Sequence, residues 1–193
     1  MKRFAGALYR IKIVAGTSAL LAIDAITKWL AIIHLKDQQP LVLIDRVLEL
    51  QYAPNTGVSF SMLSDYPVFI AVVTGVILLC LSALLLSGKF RGQGLLSIGG
   101  TFIIAGGLGN LLERVLRPDH GVTDFVYISL INFPIFNFAD CCIVGGAVIV
   151  LIFFFFFYKE PKKGKRQNGR WHPIKHVSEL EPLPGSGDTE DKG

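Results

Sequence analysis

Residues 95–114 read LLSIGGTFIIAGGLGNLLER, twenty positions without a charge until Glu113 and Arg114 close the run. About 20 helical residues of this kind cross a hydrocarbon core about 30 Å thick. The rest of the 193-residue chain has the same character: 51% of it is apolar, 18% is charged and the mean hydropathy is +0.51. Soluble domains usually carry about 25% charged residues. The composition therefore indicates an integral membrane protein and excludes a large water-exposed catalytic domain.

Three further stretches, 13–33, 67–87 and 138–158, are long and apolar enough to span. The expected fold class is an all-α membrane protein with four transmembrane helices. The first stretch follows Lys2, Arg3, Arg10 and Lys12 as a signal peptide would, but it carries Asp24 and Lys28 and lacks a small-residue cleavage site, so it reads as a retained helix. Four spans put both termini on one side. Fourteen of the nineteen Lys and Arg residues fall before the first span, in the 88–94 loop or after residue 158. The positive-inside rule then places both termini in the cytoplasm and the loops 34–66 and 115–137 outside.

Residues 1–158 are expected to form the membrane domain, and 159–193 a disordered cytoplasmic tail whose basic first half can meet anionic membrane lipids. The net charge of +4 sits where a membrane protein needs it and implies no nucleic acid. Cys80, Cys141 and Cys142 form no spaced framework, so neither a disulfide nor a zinc site is expected. In the first outer loop, LVLIDRVLELQY (41–52) alternates imperfectly and precedes a turn-like APNTG, the pattern of short strands at the outer surface. Small residues at Gly99, Gly100, Ala105 to Gly109, Gly145 and Gly146 suggest close packing of the third and fourth helices.

The polar residues of the spans need a reason, since a charge at mid-bilayer costs about 2.5–3.5 kcal/mol on insertion scales. Asp24 and Lys28 are four apart and can pair on one face of the first helix. Asn110 and Arg114 repeat that spacing in the third; Arg114 can snorkel to the headgroups, or the two can form a polar wall facing the bundle. Asp124 follows the third span and Asp140 lies about one turn into the fourth, so both fall at the outer interface. They are either unrelated interfacial carboxylates or a pair sharing one proton, which would provide both a base for water and an acid for a leaving group. Asn55, Asn110, Arg114 and Asn137 at the same level favour the pair, because amides orient carboxylates and donate to carbonyls.

With these residues in place the chain resembles the lipoprotein signal peptidases, also called signal peptidase II. The resemblance covers about residues 13–155 and rests on four ordered blocks: Asp24-Ala-Ile-Thr-Lys28, Asn55-Thr-Gly57-Val-Ser-Phe60, Gly106-Gly-Leu-Gly-Asn110-Leu-Leu-Glu-Arg114, and Val122-Thr-Asp124-Phe125 with Phe136-Asn137-Phe-Ala139-Asp140. It implies an aspartyl endopeptidase with Asp124 and Asp140 as catalytic dyad, supported by Asn55, Gly57, Gly106, Asn110, Arg114, Asn137, Ala139, Asp24 and Lys28. It further implies a small extracytoplasmic β-cradle and prolipoprotein substrates cut on the amino side of a diacylglyceryl-modified cysteine. Inhibition by globomycin-type peptides and residence in the bacterial inner membrane are also implied.

The chain departs from that pattern at Glu113, where an aspartate is usual, at Ala25 and Cys141, and in a longer 115–123 segment. No cofactor or metal is expected, as His34, His120, His172 and His176 show no ligand spacing near the dyad. A monomer is expected. The rival reading is a small proton-coupled transporter, which requires carboxylates near the midplane rather than at one face; a structural membrane subunit is the third.

Overall fold

The computed structural model describes residues 2–56, 66–158, 165–167 and 170–172. Four of its helices are long and apolar enough to cross a membrane, over Phe4–Leu35, Val68–Leu86, Gly94–Leu116 and Phe138–Phe157. The first helix, α1 (Lys2–Leu35), begins eleven residues before the expected span, because Ala, Leu, Arg and Lys between residues 2 and 12 favour helix and nothing there breaks it. The others are α2 (Pro67–Leu86), with Pro67 in the first turn where its missing N–H costs nothing, α3 (Gly94–Leu116) and α4 (Phe138–Phe156).

The centre of the bundle is α3. Half of its membrane window is buried, against about a fifth in each of the others. Its small residues make this possible, and they serve three neighbours rather than α4 alone. A Cβ on Gly99 would meet the Gly146 carbonyl of α4 at 2.9 Å, and one on Gly107 would meet Leu78 of α2 at 2.6 Å, while one on Gly109 would strike the Asp24 carboxylate of α1. Gly145, by contrast, faces open space. The apolar core joins α1, α2 and α3 through Ile13, Leu85 and Ile104. Large apolar side chains cover the outside, including Phe154 to Phe157 at the end of α4, whereas Phe153 turns inward.

A three-stranded antiparallel sheet completes the unit, in the order β1 (Leu41–Ile44), β2 (Leu48–Asn55), β3 (Val122–Tyr127). Two of its features differ from the sequence reading. The strand expected to end at residue 52 continues through Pro54 to Asn55; β1 pairs only as far as Leu50, so the later part of β2 has an open edge that tolerates proline. The segment holding Asp124, expected as part of the outer loop 115–137, is a strand rich in β-branched and aromatic residues. Between Leu50 and Ala53 the pairing slips by one residue, and this bulge sets the register that puts Ala53 opposite Asp124 and Asn55 opposite Val122.

Beyond Phe157 the described residues are Tyr158 and two short antiparallel strands, β4 (Lys165–Gln167) and β5 (Arg170–His172). The rest of the expected disordered tail, His176 included, lies outside the described residues.

Candidate active site

Strand alternation sends neighbouring residues of β3 in opposite directions. Asp124 shares a face with Ala53 and, two residues on, with Asn55, whose Nδ2 donates to Asp124 Oδ2 at 2.9 Å. Thr123 points the other way, to Glu113 on α3.

Asp140 is held by the start of α4. Asn137 is the N-cap: its Oδ1 accepts the Asp140 backbone N–H at 3.0 Å, while Asp140 Oδ2 accepts the Asn137 N–H at 3.0 Å. This reciprocal box satisfies donors that a helix start leaves unpaired. The side chain of Asn137 also bridges the two acids, because its Nδ2 donates to Asp124 Oδ1 at 2.6 Å. Asn110 Nδ2 donates to the remaining Asp140 oxygen, Oδ1, at 2.9 Å. Each aspartate therefore receives a hydrogen bond on each oxygen, and Asn137 belongs to both sets.

The two carboxylates sit in different surroundings. Asp124 is 3% exposed, whereas Asp140 is half-buried. Burial pushes the Asp124 pKa up to about 6, its Asn55 and Asn137 hydrogen bonds pull the other way, and the Asp140 charge raises it further. The guanidinium of Arg114, buried on the same face of α3 as Asn110, lies within the electrostatic reach of both acids. Its Nη1 donates to the Asn110 carbonyl at 3.4 Å.

Behind this pair lies a second polar layer. Lys28 Nζ has three protons and meets three acceptors: Asp24 Oδ2 at 2.9 Å, Asn110 Oδ1 at 2.9 Å and Glu113 Oε2 at 3.1 Å. The Asp24–Lys28 pair does more than position α1. Asp24 Oδ1 accepts the Ala139 N–H at 3.0 Å, so α1 caps the first turn of α4 beside Asp140. Gly106 makes room for this junction, since a Cβ there would strike the buried Ala139 carbonyl. Gly57 lies outside the described residues.

Several further residues contribute outside the set that the resemblance implies. Glu113 accepts the Thr123 N–H at 2.9 Å and its hydroxyl at 2.7 Å, fixing β3 to α3 next to Asp124. Arg117 bonds Thr123 Oγ1 at 2.7 Å, Tyr52 on β2 at 3.2 Å, Glu113 at 3.4 Å and Asp119 at 2.9 Å. Those bonds raise the Arg117 pKa and lower that of Asp119 to about 2. The one signal for this strut is the i, i+4 spacing of Glu113 and Arg117. His120, at the loop tip with φ 52°, directs Nδ1 to the Arg114 carbonyl at 2.7 Å. No cluster of His, Cys, Asp and Glu suited to a metal occurs among the described residues.

Four apolar helices with a carboxylate pair held between a sheet and a helix start define a multi-pass membrane protein with a buried acidic site. Two solved bacterial membrane enzymes, determined in meso at 2.3 and 1.9 Å resolution, share the fold with TM-scores of 0.68 and 0.67 at 24% and 23% identity; the matches cover 77% and 76% of this chain and 92% and 94% of theirs. Residues 17–156 match the family described as signal peptidase (SPase) II, and the chain belongs to that family, a group of membrane proteases that remove signal peptides from lipoproteins. It is similar to the lipoprotein signal peptidases of Shouchella clausii (strain KSM-K16), 34% identical over 64% of this chain and 80% of the relative, and of Rickettsia typhi (strain ATCC VR-144 / Wilmington), 35% identical over 64% of each. That of Bacillus subtilis (strain 168) is 28% identical over 63% of this chain and 78% of its own length. Membership of this family, together with the four apolar helices, makes the chain a multi-pass protein of the bacterial inner membrane.

Proposed function

We propose that Asp124 and Asp140 are the catalytic dyad of an aspartyl endopeptidase that cuts diacylglyceryl-modified prolipoproteins on the amino side of the lipidated cysteine. The observation that carries this reading is Asn137, whose side chain and backbone bond one aspartate each. Asp124, the more buried acid, carries the shared proton, and Asp140 acts as the base.

Asp140 takes a proton from water as the water oxygen bonds the scissile carbonyl carbon, and Asp124 gives its proton to the carbonyl oxygen. The resulting gem-diol collapses when Asp140 returns its proton to the amide nitrogen. The C–N bond breaks, and Asp124 recovers a proton from one of the two hydroxyls, restoring the starting state. No acyl-enzyme forms, so no Ser or Cys nucleophile is required. Arg114 and the asparagines hold the substrate backbone, the sheet cradles the residues around the cut, and globomycin-type peptides compete for the same place. The basic flanks support an orientation with both termini in the cytoplasm and the dyad at the outer face, and the enzyme is proposed to work as a monomer.

The test is cleavage of a lipidated prolipoprotein by purified wild type, Asp124→Asn and Asp140→Asn, each checked for folding. Loss of cleavage in both folded variants is expected. Near wild-type cleavage by either overturns the dyad.

A further inference from the structure

The 115–123 segment, where the chain departs from the family pattern, holds a cation to which the dyad gives no task. Arg117 is the C-cap of α3, with an extended backbone (φ −85°, ψ 141°) that leaves the helix and lets the side chain reach the sheet. All five of its guanidinium protons meet acceptors. Nη1 donates to Thr123 Oγ1 at 2.7 Å and Glu113 Oε1 at 3.4 Å, Nη2 to Tyr52 Oη at 3.2 Å and Asp119 Oδ2 at 2.9 Å, and Nε to Asp119 Oδ1 at 3.0 Å. The planar fork thus joins α3, β2, β3 and its own loop, which the point charge of a lysine could not do.

Two of those acceptors flank the irregular place in the pairing of β2 with β3. Between the pairs Leu50–Val126 and Ala53–Asp124, β2 has two residues, Gln51 and Tyr52, where β3 has one, Phe125. Such a bulge leaves the ladder locally disrupted and bends the strand. Register beyond it decides whether Asn55 meets Asp124, since a slip of one residue would turn the amide to the other face. Tyr52 belongs to the bulge itself, and Thr123 precedes Asp124 with its side chain on the opposite face of β3.

We propose that Arg117 is a positioning residue for the dyad: by gripping Tyr52 and Thr123 on the back of the sheet, it locks the β2 bulge in the register that keeps Asn55 on Asp124. This role rests on the dyad reading above. The bonds of Glu113 reach β3, Lys28 and Arg117, so the link from this cluster to β2 runs through the guanidinium. Without it Asn55 Nδ2 loses its fixed place at Asp124 Oδ2. A misplacement of about 1 Å that originates away from the chemistry can slow a reaction about 100-fold.

Single-turnover cleavage of a lipidated prolipoprotein by the full chain in detergent, corrected for the folded fraction, tests this in a double-mutant cycle of Arg117→Ala and Asn55→Ala. Arg117→Ala should slow the chemical step about 10- to 100-fold. In the Asn55→Ala background the same substitution should change the rate by less than about twofold, because the bond it protects is already gone. Tyr52→Phe removes one hydroxyl from a half-buried side chain and should by itself slow the step about threefold, again with no further loss beside Asn55→Ala. It keeps the test decisive if Arg117→Ala does not fold. Wild-type rates in the folded variants overturn the proposal, and so do losses that multiply with that of Asn55→Ala, which would make Arg117 a support of the fold at large. Asp124→Asn in the same assay separates the two readings. Its inactivity beside an unimpaired Arg117→Ala would refute the positioning role and leave the dyad standing, whereas near wild-type cleavage by Asp124→Asn would remove the dyad and this role with it.

Discussion

The parallel seam between α1 and α3 has two ends built on opposite plans. At its C-terminal end, Asp24, Lys28, Asn110 and Glu113 saturate one another, and the surplus hydrogen bonds reach α4 and β3. At its N-terminal end, Lys12 and Arg91 line an apolar groove together with Leu8, Ile98 and Phe102. Both ends belong to the same two helices, so the difference lies in which residues face the seam at each end. A buried ion that is fully paired within the protein fixes geometry to fractions of an ångström, as Asp140 requires, because losing one partner leaves a charge in a low-dielectric site.

That contrast can be broken at graded points. The largest effect is expected at the acids themselves: Asp140→Asn should lower cleavage of a lipidated prolipoprotein by at least about 10⁴-fold, the upper range of a general acid–base contribution, in a single-turnover assay. Next is Lys28→Met, which leaves Asp24 and Glu113 facing each other without their shared cation. It should destabilise the fold by about 3–5 kcal/mol in thermal unfolding and misplace the first turn of α4.

Asp124→Asn comes third, with an effect that depends on pH. Because the folded-state pKa is raised from 3.8 to about 6, the folded wild type binds the proton more tightly than the unfolded chain; the stabilisation from protonated Asp124 is full below about pH 4 and is lost as pH rises through 6. The variant has no such loss. Its stability relative to wild type should therefore climb by about 3 kcal/mol between pH 4 and pH 8, measured as the difference in unfolding free energy.

Arg117→Ala should cost about 1–2 kcal/mol, since the strut to Tyr52 and Thr123 is only partly exposed and Glu113 keeps its bonds to Thr123. Smallest is Lys12→Gln at the other end of the seam, where stability should change by less than about 0.5 kcal/mol. An effect there as large as that of Lys28→Met would erase the distinction between the two ends.

Much of this architecture was legible because the bilayer imposes strong rules on sequence. Span length and charge placement mark the four helices, and a charged residue inside them asks for a partner, as Asp24 and Lys28 found in each other. The sheet was half legible. Its β3 strand is six residues long and bounded by turn formers, and its partner lies about 70 residues away, so local pattern could not reveal the pairing. For the same reason Tyr52 and Thr123 escaped notice. Their roles exist only after the bulge in β2 sets the register. The glycines were legible as packing residues but not as to which neighbour each admits, because helix rotation is a tertiary property.

The central claim is that the two aspartates act on each other. Titration of the Asp124 side-chain carboxyl by ¹³C NMR, in wild type and in Asp140→Asn, tests it most directly. The account predicts a midpoint of about 6 in the wild type and a clearly lower one in the variant, because the Asp140 charge that raises it is gone. An identical midpoint in the two proteins would mean that the carboxylates do not sense each other and would contradict the dyad.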